Sequence, residues 1–101
     1  MLNMILTTLF QEKKRIEYMF TKYKEEHERL PKGSISEKIV GDKTYYYLKY
    51  REGKRVVSQY ISKTHIEELR MQIEKRKHIE AMMASLQEEL VIANKVLEDA
   101  V

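Results

Sequence analysis

The sequence predicts an α+β protein: a long helix, a three-stranded antiparallel β-meander and a longer helix. Three observations predict this order: an apolar stripe with helical spacing over residues 1–30, strand-like alternation over 34–61, and a second helical stripe over 64–99. Both stripes are typical of helices that pack on other helices, so we expect the helices to pair as an antiparallel coiled coil. With 101 residues, the chain 1–101 is predicted to be a single domain.

The first helix is predicted over residues 1–30. Steps of four and three residues from Leu2 meet apolar or aromatic side chains at seven of nine positions, and Lys13 and His27 are the exceptions. Pro31 should end the helix, because proline disfavours helical geometry at the residue before it. A capping box at Thr8 and Gln11 would start the helix later. The predicted seam residues of this helix are Leu6, Leu9, Ile16, Phe20 and Tyr23.

Three strands are predicted at residues 34–40, 44–50 and 55–61, which are short and rich in β-branched residues and tyrosine. They are separated by Gly41-Asp42 and by Glu52-Gly53. Both dipeptides suit two-residue hairpin turns, so we expect a meander with two hairpins.

The predicted register divides the side chains of the sheet between two faces and pairs residue 50 with residue 55 and Lys38 with Tyr45. One face is mostly apolar, and we expect it to pack on a helix. The other face combines tyrosines with cations. The predicted helix-facing residues are Ile35, Ile39, Tyr46, Leu48, Tyr50, Val57 and Ile61.

A capping box, Thr64 with Glu67 three residues later, predicts the start of the last helix. Its apolar seam makes two successive steps of three residues, from Ile73 through Arg76 to Ile79, which breaks the heptad. We therefore expect the two halves of this helix to face in different directions. The predicted seam residues are Leu69, Ile73, Ile79, Met83, Leu86, Leu90 and Leu97.

Composition excludes several classes of function. There is no cysteine, which rules out disulfides and thiolate metal sites and predicts an intracellular, cytoplasmic protein. No apolar run approaches about 20 residues, so no membrane span is predicted. The three histidines come singly, and no phosphate loop, nucleophile elbow or fixed carboxylate pair is found. We expect no metal, no cofactor and no enzymatic activity.

The strongest functional signal lies in the middle of the chain, where residues 32–63 carry eight Lys/Arg against three Asp/Glu. Cations on the polar sheet face can neutralise phosphates while tyrosine rings contact sugars and bases, and a three-stranded sheet can enter a DNA groove. The alternative is that tyrosine favours strands and cations solvate the open face. The candidate residues for binding nucleic acid or a partner are Lys38, Lys43, Tyr45, Tyr47, Lys49, Arg51, Lys54 and Tyr60.

Two further hypotheses do not involve nucleic acid. The first is a phage-type inhibitor or adaptor that binds a host protein, such as a defence protein or nucleoprotein. The second is a structural coiled-coil oligomer. A chain of this length buries only a thin core, so partner chains would help to cover its apolar helix faces. We therefore expect a homo-oligomer, most simply a dimer.

Four segments, residues 30–35, 41–48, 50–54 and 58–61, resemble a family of small bacterial and phage proteins of unassigned function. In that family a KGS segment is followed by a YYYL-x-YREG-K hairpin between two long helices. The resemblance implies the same order of elements and carries no activity. Residues 43–54 are also similar, more loosely, to the three-stranded, DNA-contacting amino-terminal module of phage integrases, which implies a sheet that contacts DNA.

Overall fold

The computed structural model describes residues 3–100, and the side chains of residues 4–100. It contains two helices and three strands in the predicted order, which confirms the α+β architecture. Contacts divide the chain into two compact units: a helical unit formed by residues up to Arg29 and from His78 onward, and a sheet unit, Leu30–Lys77. The elements are α1 (Asn3–Arg29), β1 (Ser34–Val40), β2 (Lys43–Glu52), β3 (Arg55–Ile61) and α2 (Ile66–Asp99).

Helix α1 is already helical at Asn3, so the capping box at Thr8 does not start it. The first two residues of the predicted helix, Met1 and Leu2, lie outside the described residues. The helix ends at Arg29, two residues before Pro31, as the steric effect of proline requires. Beyond this end, Arg76 Nη1 donates a hydrogen bond of 2.6 Å to the carbonyl oxygen of Leu30. This bond explains why a cation occupies the predicted seam at position 76.

Helix α2 begins at Ile66, two residues later than predicted. The Thr64 hydroxyl lies 3.0 Å from Ser62 Oγ and 3.2 Å from His65 Nδ1, so these side chains bond to one another rather than forming the predicted box with Glu67. The amide of His65 donates to the carbonyl of Ser62 at 3.1 Å, which closes the turn before the helix. Glu67 still lies in the first turn, where its charge is favourable.

The sheet has the strand order β1-β2-β3, and its first hairpin has the predicted register, with Lys38 opposite Tyr45. In the second hairpin the prediction is wrong by two residues, because Tyr50 pairs with Val57 and not with Arg55. Side chains alternate with a period of two residues along a strand, so this slip leaves every side chain on its predicted face.

The predicted register of the second hairpin is wrong because the turn is Gly53-Lys54 rather than Glu52-Gly53. This choice of turn has a conformational cause. The backbone φ of Gly53 is 62°, and no non-glycine residue in the described part of the chain has a positive φ. A two-residue turn of type II′ needs a positive φ at its first position, which favours glycine there and disfavours glutamate. The first turn, Gly41-Asp42, has the same arrangement, with φ of 61° at Gly41.

The helix-facing side of the sheet, called face A below, packs on the first half of α2. Leu48 on the central strand and Ile61 at the end of β3 are each 8% exposed. Leu69 and Ile73, which the sequence predicts in the helix seam, instead belong to this sheet core. The core consists of buried Leu48, Ile61, Ile66 and Ile73, with Ile35, Tyr46, Tyr50 and Leu69 packed against it.

Ile39 is the exception among the predicted helix-facing residues, because 72% of it is exposed. It pairs with Thr44 beside the first turn, whereas the pairing of β2 with β3 ends at Tyr46 and Ile61. At Ile39 the sheet therefore has only two strands. The core that covers face A forms around Leu48 and Ile61, and Ile39 is not part of it.

The helical unit is an antiparallel helix pair, as predicted. His27 Nε2 of α1 lies 2.9 Å from Glu80 Oε1 of α2, while Ile16 lines a groove together with Ala93. Over the described residues, neither helix has an apolar stretch long enough to cross a membrane. Of the predicted seam, Ile16, Ile79 and Leu86 are buried, and Leu6, Leu9, Phe20, Tyr23, Met83, Leu90 and Leu97 are partly buried.

Arg70 on α2 interacts with the edge of face A through charge and packing. Its Nη2 lies 3.3 Å from Glu37 Oε1, and its guanidinium carbon lies 5.5 Å from the centre of the Tyr46 ring. We expect Arg70→Met to lower the free energy of unfolding by about 0.5–1 kcal/mol. The loss is small because the side chains of Arg70 and Glu37 are part-exposed, and because methionine keeps the packing of the aliphatic part of the arginine. Urea denaturation measures this loss. Lys77→Met, which removes an exposed ion pair with Glu74, should change stability less, and an equal loss would contradict the assigned role.

Candidate nucleic-acid interface

The side of the sheet opposite face A, called face B below, is formed by alternate residues of all three strands. Strand β2 runs through its middle and presents Lys43, Tyr45, Tyr47, Lys49 and Arg51 in succession. Successive same-face side chains are about 6.6 Å apart along a strand, so this row is roughly 27 Å long. The remaining face B residues are Ser34, Ser36, Lys38 and Val40 on β1, and Val56, Ser58 and Tyr60 on β3.

A tyrosine pair marks the centre of face B. Tyr47 and Tyr60 are direct cross-strand partners, and their ring centres are 5.9 Å apart with an angle of 70° between the planes. This edge-to-face arrangement is favourable for aromatic rings and restricts both of them. The Tyr60 ring lies on an edge strand and is 57% exposed, so it remains accessible to a ligand.

A shallow depression of about 450 Å³ lies beside the tyrosine pair. Small serine side chains flank the central strand there: Ser36 pairs with Tyr47, and Ser58 pairs with Lys49. Because these serines are short, the tyrosine and the lysines project above them. The depression is lined by Ser36, Glu37, Lys38, Tyr47, Lys49 and Ser58.

All charged residues of face B are cations: Lys38, Lys43, Lys49 and Arg51. Among the side chains of residues 4–100, none of these four lies in an ion pair. The strand carboxylates lie on face A instead, where Glu37 pairs with Arg70. The two faces therefore differ in charge: the charged residues of face B are all basic, and none of them is paired with a carboxylate among the described side chains.

Seven of the eight predicted binding residues lie together on face B. The exception is Lys54, which occupies the second position of the β2–β3 turn and belongs to neither face. Tyr45 and Tyr47 are partly buried by their neighbours, while the remaining five are exposed. The alternation of the sequence was enough to find this set, because it survives the two-residue slip of the second hairpin.

The serines beside Tyr47 and Lys49 lie on the face that the sequence predicts for them, but they are not among the predicted binding residues. The predicted pairing of β1 with β2 already places Ser36 opposite Tyr47, whereas the position of Ser58 opposite Lys49 requires the observed second turn. A further connected group consists of Ser62, Thr64 and His65, in which Ser62 Oγ lies 2.7 Å from His65 Nδ1. These residues bond to one another just before α2.

Several cations of the helices make contacts within their own helix. Arg15 Nε donates to Glu12 at 3.0 Å, and the Lys14 ammonium lies 5.2 Å from the centre of the Phe10 ring. Lys77 is 3.7 Å from a Glu74 oxygen. Consecutive residues of a helix point to different sides, so its runs of basic residues do not form one patch. In the described part of the chain, no three histidine or carboxylate side chains come together as metal ligands.

Comparison with known proteins identifies one family. A family model described as a domain of unknown function, DUF6788, matches residues 10–71, which is more than half of the chain. The match includes most of α1 as well as the whole sheet. No curated protein and no solved structure matches the chain. The resemblance to an uncharacterised family is thus confirmed at that level, whereas the hairpin motif as its signature and the likeness to phage integrases receive no support.

Proposed function

The chain belongs to the DUF6788 family, and from the geometry of its sheet we propose that it binds nucleic acid through face B. The observation that carries the proposal is the unpaired positive charge of face B, four cations around a pair of tyrosines with no carboxylate on that face. Phosphates supply the missing counter-charge. Tyrosine rings and serine hydroxyls supply the contacts to sugars and bases that cations alone do not make.

The dimensions of the sheet agree with this role. Three strands spaced about 4.8 Å apart put the axes of the outer strands roughly 10 Å apart, which is less than the ~12 Å width of the DNA major groove. The exposed Tyr60 ring can also stack on an unpaired base, as aromatic platforms do in proteins that bind single strands. Both kinds of ligand therefore belong in the test.

Salt titration gives the first test of the proposal. If the four cations each neutralise one phosphate of a duplex, the logarithm of the association constant should fall with the logarithm of salt concentration with a slope of about −3 to −4. Fluorescence anisotropy with labelled duplex DNA, single-stranded DNA and RNA measures this slope. Binding that does not respond to salt would count against a phosphate-contacting face.

Charge reversal gives the second test. We expect Lys49→Glu with Arg51→Glu to weaken binding about 100-fold or more near 0.1 M salt, because two attractive contacts become repulsive. The matched control is Lys24→Glu with Lys95→Glu, which changes the net charge equally but lies on the exposed surfaces of the helices. If both double variants lose the same affinity, net charge rather than face B is responsible. Far-UV circular dichroism confirms that each variant is folded.

A protein ligand at face B is the competing function. Val56 is 66% exposed next to the cations, and an exposed apolar residue is also useful in a protein interface. A complex that forms after nuclease treatment and does not change in affinity when nucleic acid is added would favour the inhibitor or adaptor hypothesis.

A further inference from the structure

The helical unit buries very little for its length. Its buried side chains are Ile16, Ile79, Leu86 and Ala93, each at most 5% exposed, and they form one line between two helices. A pair of helices can cover only the facing stripe of each member. Apolar residues beside that stripe therefore stay in contact with water unless another surface covers them.

The uncovered apolar residues concentrate at one end of the helix pair. At the start of α1, Met4 and Ile5 are 83% and 76% exposed, and near the end of α2, Ile92 and Val96 are 65% and 46% exposed. Ile92 and Val96 are four residues apart and so are neighbours on the helix surface. The His27–Glu80 contact lies at the opposite end of the helix pair. Among the described side chains of α1, the exposed large apolar residue nearest to that contact is Tyr18.

Two adjoining depressions form an apolar groove at this end. The first, of about 550 Å³, is lined among the described residues by side chains of α1: Met4, Ile5, Thr8, Leu9 and Glu12. The second, of about 250 Å³, lies between the helices and is lined by Leu9, Glu12, Ile16, Glu89, Ile92 and Ala93. Leu9 and Glu12 line both, so the two depressions adjoin. The small Ala93 in its floor leaves room for a side chain from outside.

We propose that this groove binds a second copy of the chain, so that two helix pairs form a four-helix bundle. The surface has both parts that a two-fold interface needs: a groove, and exposed ridge residues, Ile92 and Val96, that can enter the groove of the partner. Its edge also carries both signs of charge, since Glu12 and Glu89 line the groove and Arg15 donates a hydrogen bond to Glu12 at 3.0 Å.

The exposed area is of the size that a dimer requires. Met4, Ile5, Ile92 and Val96 together leave roughly 500 Å² of apolar surface in water, judged from their exposed fractions. A standard interface buries about 800 Å² per partner, of which about 60% is apolar. These two apolar areas agree. A monomer would have to keep this patch in water.

Mass measurement in solution tests the proposal directly. At about 100 µM, sedimentation equilibrium of the full chain should give twice the mass of one chain, which is 12.2 kDa. We expect Ile92→Glu to raise the dissociation constant of the dimer about 100-fold or more. Two-fold symmetry would bury two of these carboxylates in the interface, one from each chain. The variant should keep its fold, since Ile92 is exposed within the helix pair.

The matched control is Met71→Glu, which makes a similar change at an exposed residue of the same helix outside the groove. It should leave the dimer intact. A monomeric wild-type chain would overturn the proposal, including one whose groove binds a different protein. A dimer that persists unchanged in Ile92→Glu, or one that Met71→Glu disrupts equally, would overturn the assignment of this surface.

Discussion

Replacing Gly33 by alanine is expected to lower the free energy of unfolding by about 3–4 kcal/mol, because the site is both sterically closed and conformationally restricted. A Cβ atom at this position would lie 2.4 Å from the carbonyl oxygen of Lys49 and 3.0 Å from the Cβ of Tyr50. The first of these neighbours is backbone, so it cannot turn away. In addition, φ of Gly33 is 117°, a value that residues with a side chain rarely adopt.

The control for this substitution is Gly53→Ala. Gly53 also has a positive φ, 62°, but a Cβ there would meet no atom within 4 Å. Only the conformational cost remains, about 1 kcal/mol. Urea denaturation of both variants separates the two effects, and equal losses would show that the contact between Gly33 and β2 does not matter for stability.

Leu48→Ala is expected to cost about 3 kcal/mol of unfolding free energy, close to the middle of the range for buried leucines. Leu48 is 8% exposed at the centre of face A and lies in the core with Ile61, Ile66 and Ile73. Removing its side chain leaves a cavity between the central strand and α2, where the neighbours can relax only partly. Thermal and urea unfolding followed by circular dichroism measure the loss.

Ile39→Ala is the matched control for Leu48→Ala, since both residues are apolar and lie on face A. Ile39 is 72% exposed, so its truncation should change stability by no more than about 0.5 kcal/mol. A large loss at Ile39 would mean that another surface covers the two-stranded end of the sheet. A small loss at Leu48 would contradict the assignment of the core.

Much of the candidate site could be predicted because strand alternation is a local property. The membership of face B depends only on whether a residue stands at an odd or an even position along its strand. The sequence therefore predicts the face of Lys49 and Tyr47 correctly, although the predicted register of the second hairpin is wrong by two residues. The cross-strand pairing with Ser58 and Tyr60 could not be predicted without the turn. That turn depends on the need for a positive φ at its first position, which Gly53 meets.

The sequence predicts the order of the elements, the end of α1 before Pro31 and the separation of tyrosines and cations from the apolar face, because helical and strand periods and proline sterics act over a few residues. The tertiary fold was needed to show that Leu69 and Ile73 pack on the sheet, that Ile79 is buried in the helical unit, and that Ile39 is uncovered. It also decided why Gly33 must be glycine. These features depend on which segments meet across the fold, and the contact partners are distant in sequence, so no local pattern records them.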